Sequence, residues 1–399
     1  MLDLGLTLHC GTPLRRTYSI DLKTYFSFFD IWRMSAKRIM HLSSESTWRG
    51  GEQQMAYLIE ESVKAGLKIN VVCKSNSAFS EWCEKKNIHY HELNFTNGLD
   101  INTSLHLKRL ATQLKPDLIH THSGKSQSLI YWAALMGLNV PVVVHRRVDF
   151  PLKSKGLSLK KYTFGGVKAI ICVSKTIEKM VRDQAEDRVD QIQTIYSGID
   201  FQRFDRKPPT GYIHRELGLS QDTVLISNIS ALAPHKDYHT FLRVAKHFLA
   251  EEVNVHFLIV GEGPLEVELK DQCRKMGLEK LVTFTGFRTD IPDLFREISI
   301  FLITSETEGL GTTVIDAMYN ELPVVATKGG GIPELIIDGS TGYLCDVADD
   351  GCLAVRVKEL TDNPSKIKTM GIEGGKRSML FSKEEMAQQV MEVYEKLGV

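Results

Sequence analysis

The chain contains one local pattern twice, in which short apolar runs alternate with longer amphipathic stretches. The first series consists of residues 39–42, 69–73, 118–121, 140–145, 169–173 and 192–196. The second series consists of residues 223–229, 255–260, 281–285, 298–303 and 323–326. Strands that alternate with helices of this length form right-handed βαβ units and a parallel sheet. The pattern therefore predicts an α/β protein with two doubly wound, Rossmann-like domains.

The length of the chain and one polar segment indicate where the domains meet. With 399 residues, 43% of them hydrophobic, the chain is long enough for two cores of ordinary size. Residues 198–212 are rich in polar and turn-forming side chains, as in a linker. We expect a first domain over residues 34–200, a second over 201–380, and a final helix over 381–399 that packs across both.

Charge and cysteine usage exclude several classes of protein. Lys+Arg and Asp+Glu balance at 49 each, so no global field attracts nucleic acid or a membrane. The seven cysteines are scattered and form neither a disulfide framework nor a zinc pattern, which favours the reducing cytoplasm. Charges interrupt any apolar run in residues 1–33. We interpret that segment as a disordered extension or a start-site artefact and not as a signal peptide.

The segment 304–335 says most about function. Residues 309–311 form a glycine turn between an apolar strand and a helix, with Glu308 before the turn and Asp316 within the helix. Glycines let backbone amides approach phosphate oxygens, and helix-start amides at the carboxyl end of a parallel sheet favour anions. A second glycine turn, residues 329–334, follows the next strand. Because carboxylates accept hydrogen bonds from sugar hydroxyls, we expect a nucleotide sugar to bind here.

These two turns resemble the donor-binding signature of the retaining family 4 glycosyltransferases, which have the GT-B fold of two facing Rossmann-like domains. The similarity extends over residues 38–397. In that family the first acid contacts the transferred sugar and the second contacts the ribose, which corresponds to Glu308 and Asp316. The usual second acid is glutamate, so Asp316 shortens the reach by one methylene group. The resemblance implies these donor-binding residues: Gly50, Gly51, Lys236, Gly263, Phe287, Arg288, Glu308, Gly309, Leu310, Gly311, Thr312, Thr313 and Asp316.

A lysine near the start of the second domain is expected to stabilise the leaving diphosphate. Lys236 occupies this position, and the family pattern has an arginine five residues earlier, where this chain has Ala231. His235 and Arg288 are candidates for the missing positive charge. Because such cations and helix-start amides do what a divalent ion does elsewhere, we expect neither a metal nor a cofactor other than the nucleotide sugar.

Histidines and arginines follow two apolar strands of the first domain. His120 and His122 share one face at the carboxyl end of a strand, which is where chemistry is usually placed. The resemblance favours His122 as a contact to the transferred sugar, and it implies catalytic roles for His122, Lys236 and Glu308. It also implies that the glycine pair Gly50 and Gly51 lets its loop approach the donor diphosphate. The acceptor-side candidates are His120, His145, Arg146 and Arg147.

Residues 153–168 carry several lysines and no acid, with apolar side chains between them. Such a stretch is usually a solvated loop and helix face, but it is also suited to anionic lipid. The expected location is therefore the cytoplasm, with peripheral contact to a membrane as the alternative to a freely diffusing chain.

The sequence thus predicts a retaining glycosyltransferase that moves a sugar from a nucleoside diphosphate donor to a hydroxyl acceptor. The resemblance implies a role in the synthesis of cell-envelope polysaccharide, including lipopolysaccharide, or of glycolipid, with uridine the most frequent donor base. Two alternatives stay open: a nucleotide-sugar epimerase of the same fold, and a non-catalytic sugar-nucleotide-binding protein, which Ala231 favours. The acceptor, the donor sugar, the linkage and the oligomeric state stay open as well.

Overall fold

A computed structural model describes residues 37–151, 156–185, 192–204, 207–251 and 253–399. The predicted extension over residues 1–33 lies outside this described part. The first domain is built on a parallel sheet of seven strands in the spatial order β3-β2-β1-β4-β5-β6-β7. Its strands are β1 (Arg38–Leu42), β2 (Lys68–Lys74), β3 (Tyr90–Leu93), β4 (Leu118–Thr121), β5 (Val142–Arg146), β6 (Val167–Cys172) and β7 (Ile192–Thr194). Its helices are α1 (Gly50–Lys64), α2 (Ala78–Lys85), α3 (Ile101–Leu114), α4 (Gly124–Leu135), α5 (Leu157–Thr163) and α6 (Lys175–Gln184).

The second domain is built on a parallel sheet of six strands in the order β10-β9-β8-β11-β12-β13. These strands are β8 (Val224–Ile229), β9 (Val255–Val260), β10 (Val282–Gly286), β11 (Ile300–Ile303), β12 (Val324–Thr327) and β13 (Gly342–Cys345). The remaining α-helices are α7 (Tyr212–Leu217), α8 (Tyr238–His247), α9 (Glu266–Lys275), α10 (Ile291–Glu297), α11 (Thr312–Tyr319), α12 (Ile332–Leu335), α13 (Asp350–Thr361), α14 (Pro364–Ser378) and α15 (Lys383–Lys396). The prediction of two Rossmann-like sheets is confirmed.

Burial explains why the apolar runs marked most of these strands. Every residue of β5 and of β9 is buried, as expected where helices cover both faces of a parallel sheet. The pattern missed β3 and β13, which are edge strands. The sequence of β3 is Tyr-His-Glu-Leu and none of its residues is fully buried, so it carries no apolar run. β13 is mostly buried, but it has only four residues and begins with glycine, so its apolar run is too short to stand out.

The final helix α15 returns to the first domain, as expected. Its side chains Ala387, Val390 and Tyr394 are buried in the same apolar cluster as Met55 and Ile59 of α1. The start of α15 is joined to the first domain by a hydrogen bond from the Lys383 amide to the Ile199 carbonyl, 2.9 Å long. The helix therefore fixes a second connection between the domains, behind the cleft.

One expectation about cysteine is wrong. Cys345 at the end of β13 and Cys352 in α13 form a disulfide with a Cα–Cα distance of 5.9 Å. Their spacing of seven residues did not distinguish them from the scattered cysteines, because only the turn between β13 and α13 brings them together. The other described cysteines, Cys73, Cys83, Cys172 and Cys273, are free and buried. Over the described ranges, the helices are too short or too polar to cross a membrane.

Candidate functional site

The carboxyl ends of the two sheets face each other across a narrow cleft. A Cβ atom on Gly309, in the loop after β11, would lie 2.3 Å from the carbonyl oxygen of Arg147, after β5. Only glycine permits this approach. Beside it, the Glu334 carboxylate accepts hydrogen bonds from the amides of Lys175 (2.8 Å) and Thr176 (2.9 Å) at the start of α6. The predicted turns of the second domain therefore contact the first domain directly.

Lys236 and Glu308 form an ion pair in the cleft. Lys236 ends a short 3-10 turn, Pro234–Lys236, and its Nζ atom lies 2.5 Å from Oε1 of Glu308. The hydroxyl of Ser305 donates to the same carboxylate oxygen over 2.8 Å. The two side chains are 15% and 11% exposed, so a ligand can reach them while little water screens them. The pair presents an ammonium group for phosphate and a carboxylate for hydroxyls side by side.

The start of α11 offers backbone donors next to this pair. Gly311 precedes the helix with a φ of 90°, a left-handed conformation that glycine adopts without strain. Within the described residues, no side chain caps this helix start. The amides of Thr312 and Thr313 therefore have the orientation and charge that favour a phosphate oxygen. Leu310 is buried behind the turn, at 3% exposure.

Asp316 lies one turn further along α11 and is buried. Burial raises the pKa of its carboxyl group to about 7, although the nearby Arg203 opposes the shift. Among the described residues, its Oδ1 atom has no hydrogen-bond partner. Asp316 can therefore accept a hydrogen bond from a ligand, and it titrates in the neutral range.

Three of the expected donor-binding residues, Gly263, Phe287 and Arg288, lie in two further turns of the second domain. A Cβ atom on Gly263 would lie 2.4 Å from the carbonyl oxygen of Leu232, so the packing of this loop already requires glycine. Phe287 is 71% exposed and free to contact a ligand. Arg288 donates to Asp290 over 2.7 Å and to Glu216 over 2.8 Å. These acids raise the pKa of Arg288 and neutralise its charge.

This geometry revises the expectation that Arg288 or His235 replaces the missing arginine. Arg288 is paired with two carboxylates, whereas Lys236 is paired with one, so Arg288 has less positive charge to offer to a diphosphate. His235 is exposed, and its backbone carbonyl accepts a hydrogen bond from the Glu306 amide. Arg288 therefore does not bring a second free positive charge to the donor, whereas the exposed His235 stays a candidate.

A buried cluster of histidines lies under the first-domain side of the cleft. Arg147 donates from Nη1 to Nδ1 of His122 over 3.0 Å, since a guanidinium group can only donate. Burial lowers the pKa of His122 well below its usual value, so this ring is neutral and carries its proton on Nε2. That proton is donated to Nδ1 of His41 over 2.9 Å. Arg147 thus determines the tautomer of both rings.

The expected direct contact between His122 and the transferred sugar is therefore revised. Both ring nitrogens of His122 are already engaged, by Arg147 and by His41, and the residue is 8% exposed. A ring-nitrogen contact with a sugar would require one of these bonds to break. In the arrangement observed, His122 supports Arg147 and does not offer a free polar atom.

Three acceptor-side candidates are revised in the same way, because they lie below the cleft surface. His120 is fully buried and forms a 2.6 Å hydrogen bond with the Tyr394 hydroxyl. His145 is 6% exposed and Arg146 is 8% exposed. Arg146 donates to the Tyr162 hydroxyl over 2.7 Å. These residues hold the loop after β5 in place, and of the four candidates only Arg147 is partly exposed.

His41, His120 and His122 also have the geometry of a potential metal site. One nitrogen from each ring lies within 4.8 Å of the others, and neutral imidazoles are good ligands for zinc. Arg147, however, places a fixed positive charge against the same rings, which disfavours a cation there. The absence of a metal requirement therefore stays a prediction.

We expect dialysis against EDTA to leave the transferase activity unchanged within about twofold, because Lys236 and helix-start amides supply the positive charge. Activity before and after dialysis is the measurement, with a metal-dependent glycosyltransferase treated in parallel as a control for complete chelation. Loss of activity that added zinc restores would contradict this prediction and indicate that the histidine cluster binds the ion.

The stretch over residues 153–168 is less suited to lipid than expected, although residues 153–155 lie outside the described part. Tyr162 is buried, and the ring of Phe164 packs edge-on against Tyr131. Lys161 donates to the Gly124 carbonyl over 2.7 Å, and burial lowers its pKa to about 8. The aromatic groups face the protein, so they are not available to anchor a membrane.

Sequence reasoning missed Asp149 and Arg203. Asp149 lies after β5, and burial together with Glu308 across the cleft raises its pKa. Arg203 lies near Asp316 and donates to the Tyr57 hydroxyl over 3.4 Å. A polar Asp two residues after Arg147 was the available signal for the first. No sequence signal marked Arg203, because it lies in the predicted linker.

Models of known families match both domains. Residues 211–377 match glycosyl transferases group 1, and residues 48–203 match glycosyltransferase family 4. N-acetyl-alpha-D-glucosaminyl L-malate synthase of Bacillus anthracis is 24% identical over 323 residues, which cover 77% of this chain and 84% of that protein. The UDP-Gal:alpha-D-GlcNAc-diphosphoundecaprenol alpha-1,3-galactosyltransferase of Escherichia coli is 25% identical over 312 residues, with coverages of 74% and 80%.

The fold is shared with solved structures as well. Anabaena HepE in complex with UDP-glucose superposes with a TM-score of 0.79 and 22% identity, over 90% of this chain and 99% of that chain. At this identity the likeness shows the fold alone. Because the two family models together span both domains, the chain belongs to the family 4 glycosyltransferases with the GT-B fold.

Proposed function

We propose that this glycosyltransferase transfers a sugar from a uridine diphosphate donor to a hydroxyl acceptor with retention of the anomeric configuration. The observation that carries the proposal is the Lys236–Glu308 pair, which lies beside the uncapped start of α11 in a cleft between the domains. An ammonium group, helix-start amides and a carboxylate in one place match the diphosphate and the hydroxyls of a sugar nucleotide.

Charge stabilisation is the main task of the site in this mechanism. As the bond between the sugar and the diphosphate breaks, negative charge grows on the leaving phosphate oxygen. Lys236 and the amides of Thr312 and Thr313 stabilise that charge. The acceptor hydroxyl attacks from the same face and gives its proton to the leaving oxygen. Glu308 holds sugar hydroxyls and does not attack the anomeric carbon, so trapping of a sugar covalently bound to Glu308 would overturn this step.

The donor and acceptor classes are supported by the relatives. The Escherichia coli relative is named for a UDP-galactose donor and a diphosphoundecaprenol acceptor, and HepE was solved with UDP-glucose. We therefore propose a UDP-sugar donor and a lipid-linked or cell-envelope acceptor, reached at the cytoplasmic face of a membrane. No metal is proposed, because protein groups hold the diphosphate.

Measurement of UDP release with a panel of UDP-sugars and acceptors tests this function. The acceptors are a polyprenyl diphosphate sugar, L-malate and a glycolipid, and proton NMR of the product gives its anomeric configuration. A retained configuration and acceptor-dependent UDP release are expected. An inverted product contradicts retention, interconversion of sugars without an acceptor indicates an epimerase, and donor binding without turnover indicates a binding protein.

The pKa of Asp316 gives the donor affinity a distinct pH dependence. If the ionised carboxylate accepts ribose hydroxyls, donor binding releases the proton that the free protein holds below pH 7. The Kd for UDP-glucose should therefore fall by about tenfold between pH 6 and pH 8 and level off above that.

Calorimetry across this pH range measures the effect, and UDP-glucose is chosen because its diphosphate does not titrate there. The matched control is Asp316→Asn, which should bind more weakly and show a flat profile. A native profile as flat as that of the control would show that Asp316 does not contact the donor in its ionised form.

A further inference from the structure

Arg147 occupies the point where three parts of the cleft meet. Its side chain lies against the glycine pair at the start of α1, where a Cβ atom on Gly51 would be 3.7 Å from Arg147 Cδ. Its carbonyl group touches Gly309 of the second domain. Its Nη1 atom is held by His122. The residue therefore lies between the first-domain glycine loop and the donor-side loop of the second domain, and its guanidinium group is held by His122.

One edge of this guanidinium group has no partner among the described residues. Its Nε and Nη2 atoms are shielded from solvent and donate no hydrogen bond to a described residue. These two atoms form one planar edge of the group, and such an edge binds two oxygens of a phosphate in parallel. Burial also lowers the pKa of Arg147 to about 10, and a bound anion would relieve this cost of desolvation.

The charged neighbours of Arg147 do not occupy that edge. Glu52 is the acid that interacts with Arg147 most strongly, and it accepts a hydrogen bond from Ser43 over 3.3 Å. Within the described ranges, no ion pair joins Glu52 to Arg147. Tyr394 also faces Arg147, but burial raises the pKa of its hydroxyl well above its usual value, so it stays neutral.

The second domain has Ala231 where the family pattern has an arginine, so it lacks one positive charge on the donor side of the cleft. Ala231 is exposed after β8, and the neighbouring Arg288 is paired with acids. Asp149, two residues after Arg147, interacts electrostatically with both Glu308 and His235. The loop that carries Arg147 therefore faces the Lys236 side of the cleft.

We propose that Arg147 binds the diphosphate of the donor and so supplies, from the first domain, the positive charge that Ala231 does not supply from the second. This inference rests on the proposed function, since it requires a nucleoside diphosphate in the cleft. The diphosphate would then be held between Lys236 and Arg147, one cation from each domain. The donor would then bridge the two domains, and His122, which bonds the arginine, and His41, which bonds His122, are positioning residues.

Isothermal calorimetry with UDP and with uridine tests the proposal, since uridine lacks the phosphates. The Arg147→Met variant should bind UDP about 30-fold more weakly than the native chain and should bind uridine equally well. Arg109→Met, an exposed change on α3, is the matched control and should bind both ligands normally. If the native chain binds no nucleoside diphosphate from a panel of five bases, the proposed function itself fails.

A second set of variants covers the case in which Arg147→Met folds poorly. Arg147→Lys keeps the charge but offers a single ammonium group, so an intermediate UDP affinity is expected. Adding Ala231→Arg to the Arg147→Met chain should restore at least part of the lost UDP affinity, because the cation returns at the other position. Equal UDP affinity in native and Arg147→Met chains, or an equal loss for UDP and uridine, would overturn the role of Arg147.

Discussion

Replacing Lys236 with alanine should lower kcat by about 100- to 1000-fold, because the ammonium group stabilises charge that appears only as the diphosphate leaves. Its Nζ atom is fixed by Glu308 at 15% exposure, so little reorganisation is needed when the charge develops. KM should change less than kcat, since the same interaction is weaker in the ground state.

Steady-state UDP release measures this effect, and thermal unfolding shows whether the fold survives. Lys246→Ala is the matched control, because Lys246 is an exposed lysine on the next helix, α8. We expect that control to keep native activity. Kinetics of Lys236→Ala equal to those of the native chain would remove Lys236 from the site, whereas unfolding of the variant alone would point to a structural role.

Replacing Glu308 with alanine should lower kcat/KM by about 100-fold. The carboxylate has two tasks, since it accepts hydroxyls of the donor sugar and holds Lys236 in position. Loss of both should affect donor binding and turnover together. Glu308→Gln should retain more activity than Glu308→Ala, because the amide still accepts a hydrogen bond but no longer carries charge.

The control for this change is Glu306→Ala, which removes an exposed carboxylate two residues away in the same loop. It should leave kcat/KM for UDP-sugar within about twofold of the native value. Equal losses from Glu306→Ala and Glu308→Ala would show that the loop as a whole, and not the carboxylate of Glu308, determines activity.

Most of the fold could be predicted because buried parallel strands produce continuous apolar runs. All eleven runs correspond to strands, and β3 and β13 were missed because each has only four residues and lacks a continuous apolar run, β3 being polar and β13 beginning with glycine. The Cys345–Cys352 disulfide was not predicted for a different reason, because its two cysteines come together only when β13 and α13 pack.

The second-domain residues of the site could also be predicted from sequence, because Lys236, Glu308 and Gly309 lie in short turns that follow strands. The first-domain residues could not be predicted in this way. A strand-end arginine, Arg147, and a strand-end histidine, His122, look equally available in a sequence. Only the three-dimensional contacts show that His122 is fully engaged, whereas one buried edge of Arg147 has no hydrogen-bond partner among the described residues.

The position of Asp316 illustrates a similar limit. Sequence placed it one turn into a helix after a glycine turn, and the structure has it there. Its burial and the nearby Arg203 could not be predicted, because Arg203 lies far away along the chain. Burial, and not the spacing of the motif, moves its pKa into the neutral range, against the effect of Arg203.

Thermal unfolding with a panel of nucleoside diphosphate sugars tests the central claim most directly, namely that the cleft between the two domains is a donor site. A specific donor at 100 times its Kd should raise the Tm of the native chain by about 2–5 °C. The same donor should raise the Tm of Glu308→Ala much less and that of Lys236→Ala somewhat less, since Lys236 interacts more weakly with the donor in the ground state. A panel without any shift, or one with equal shifts in all three chains, would contradict the account.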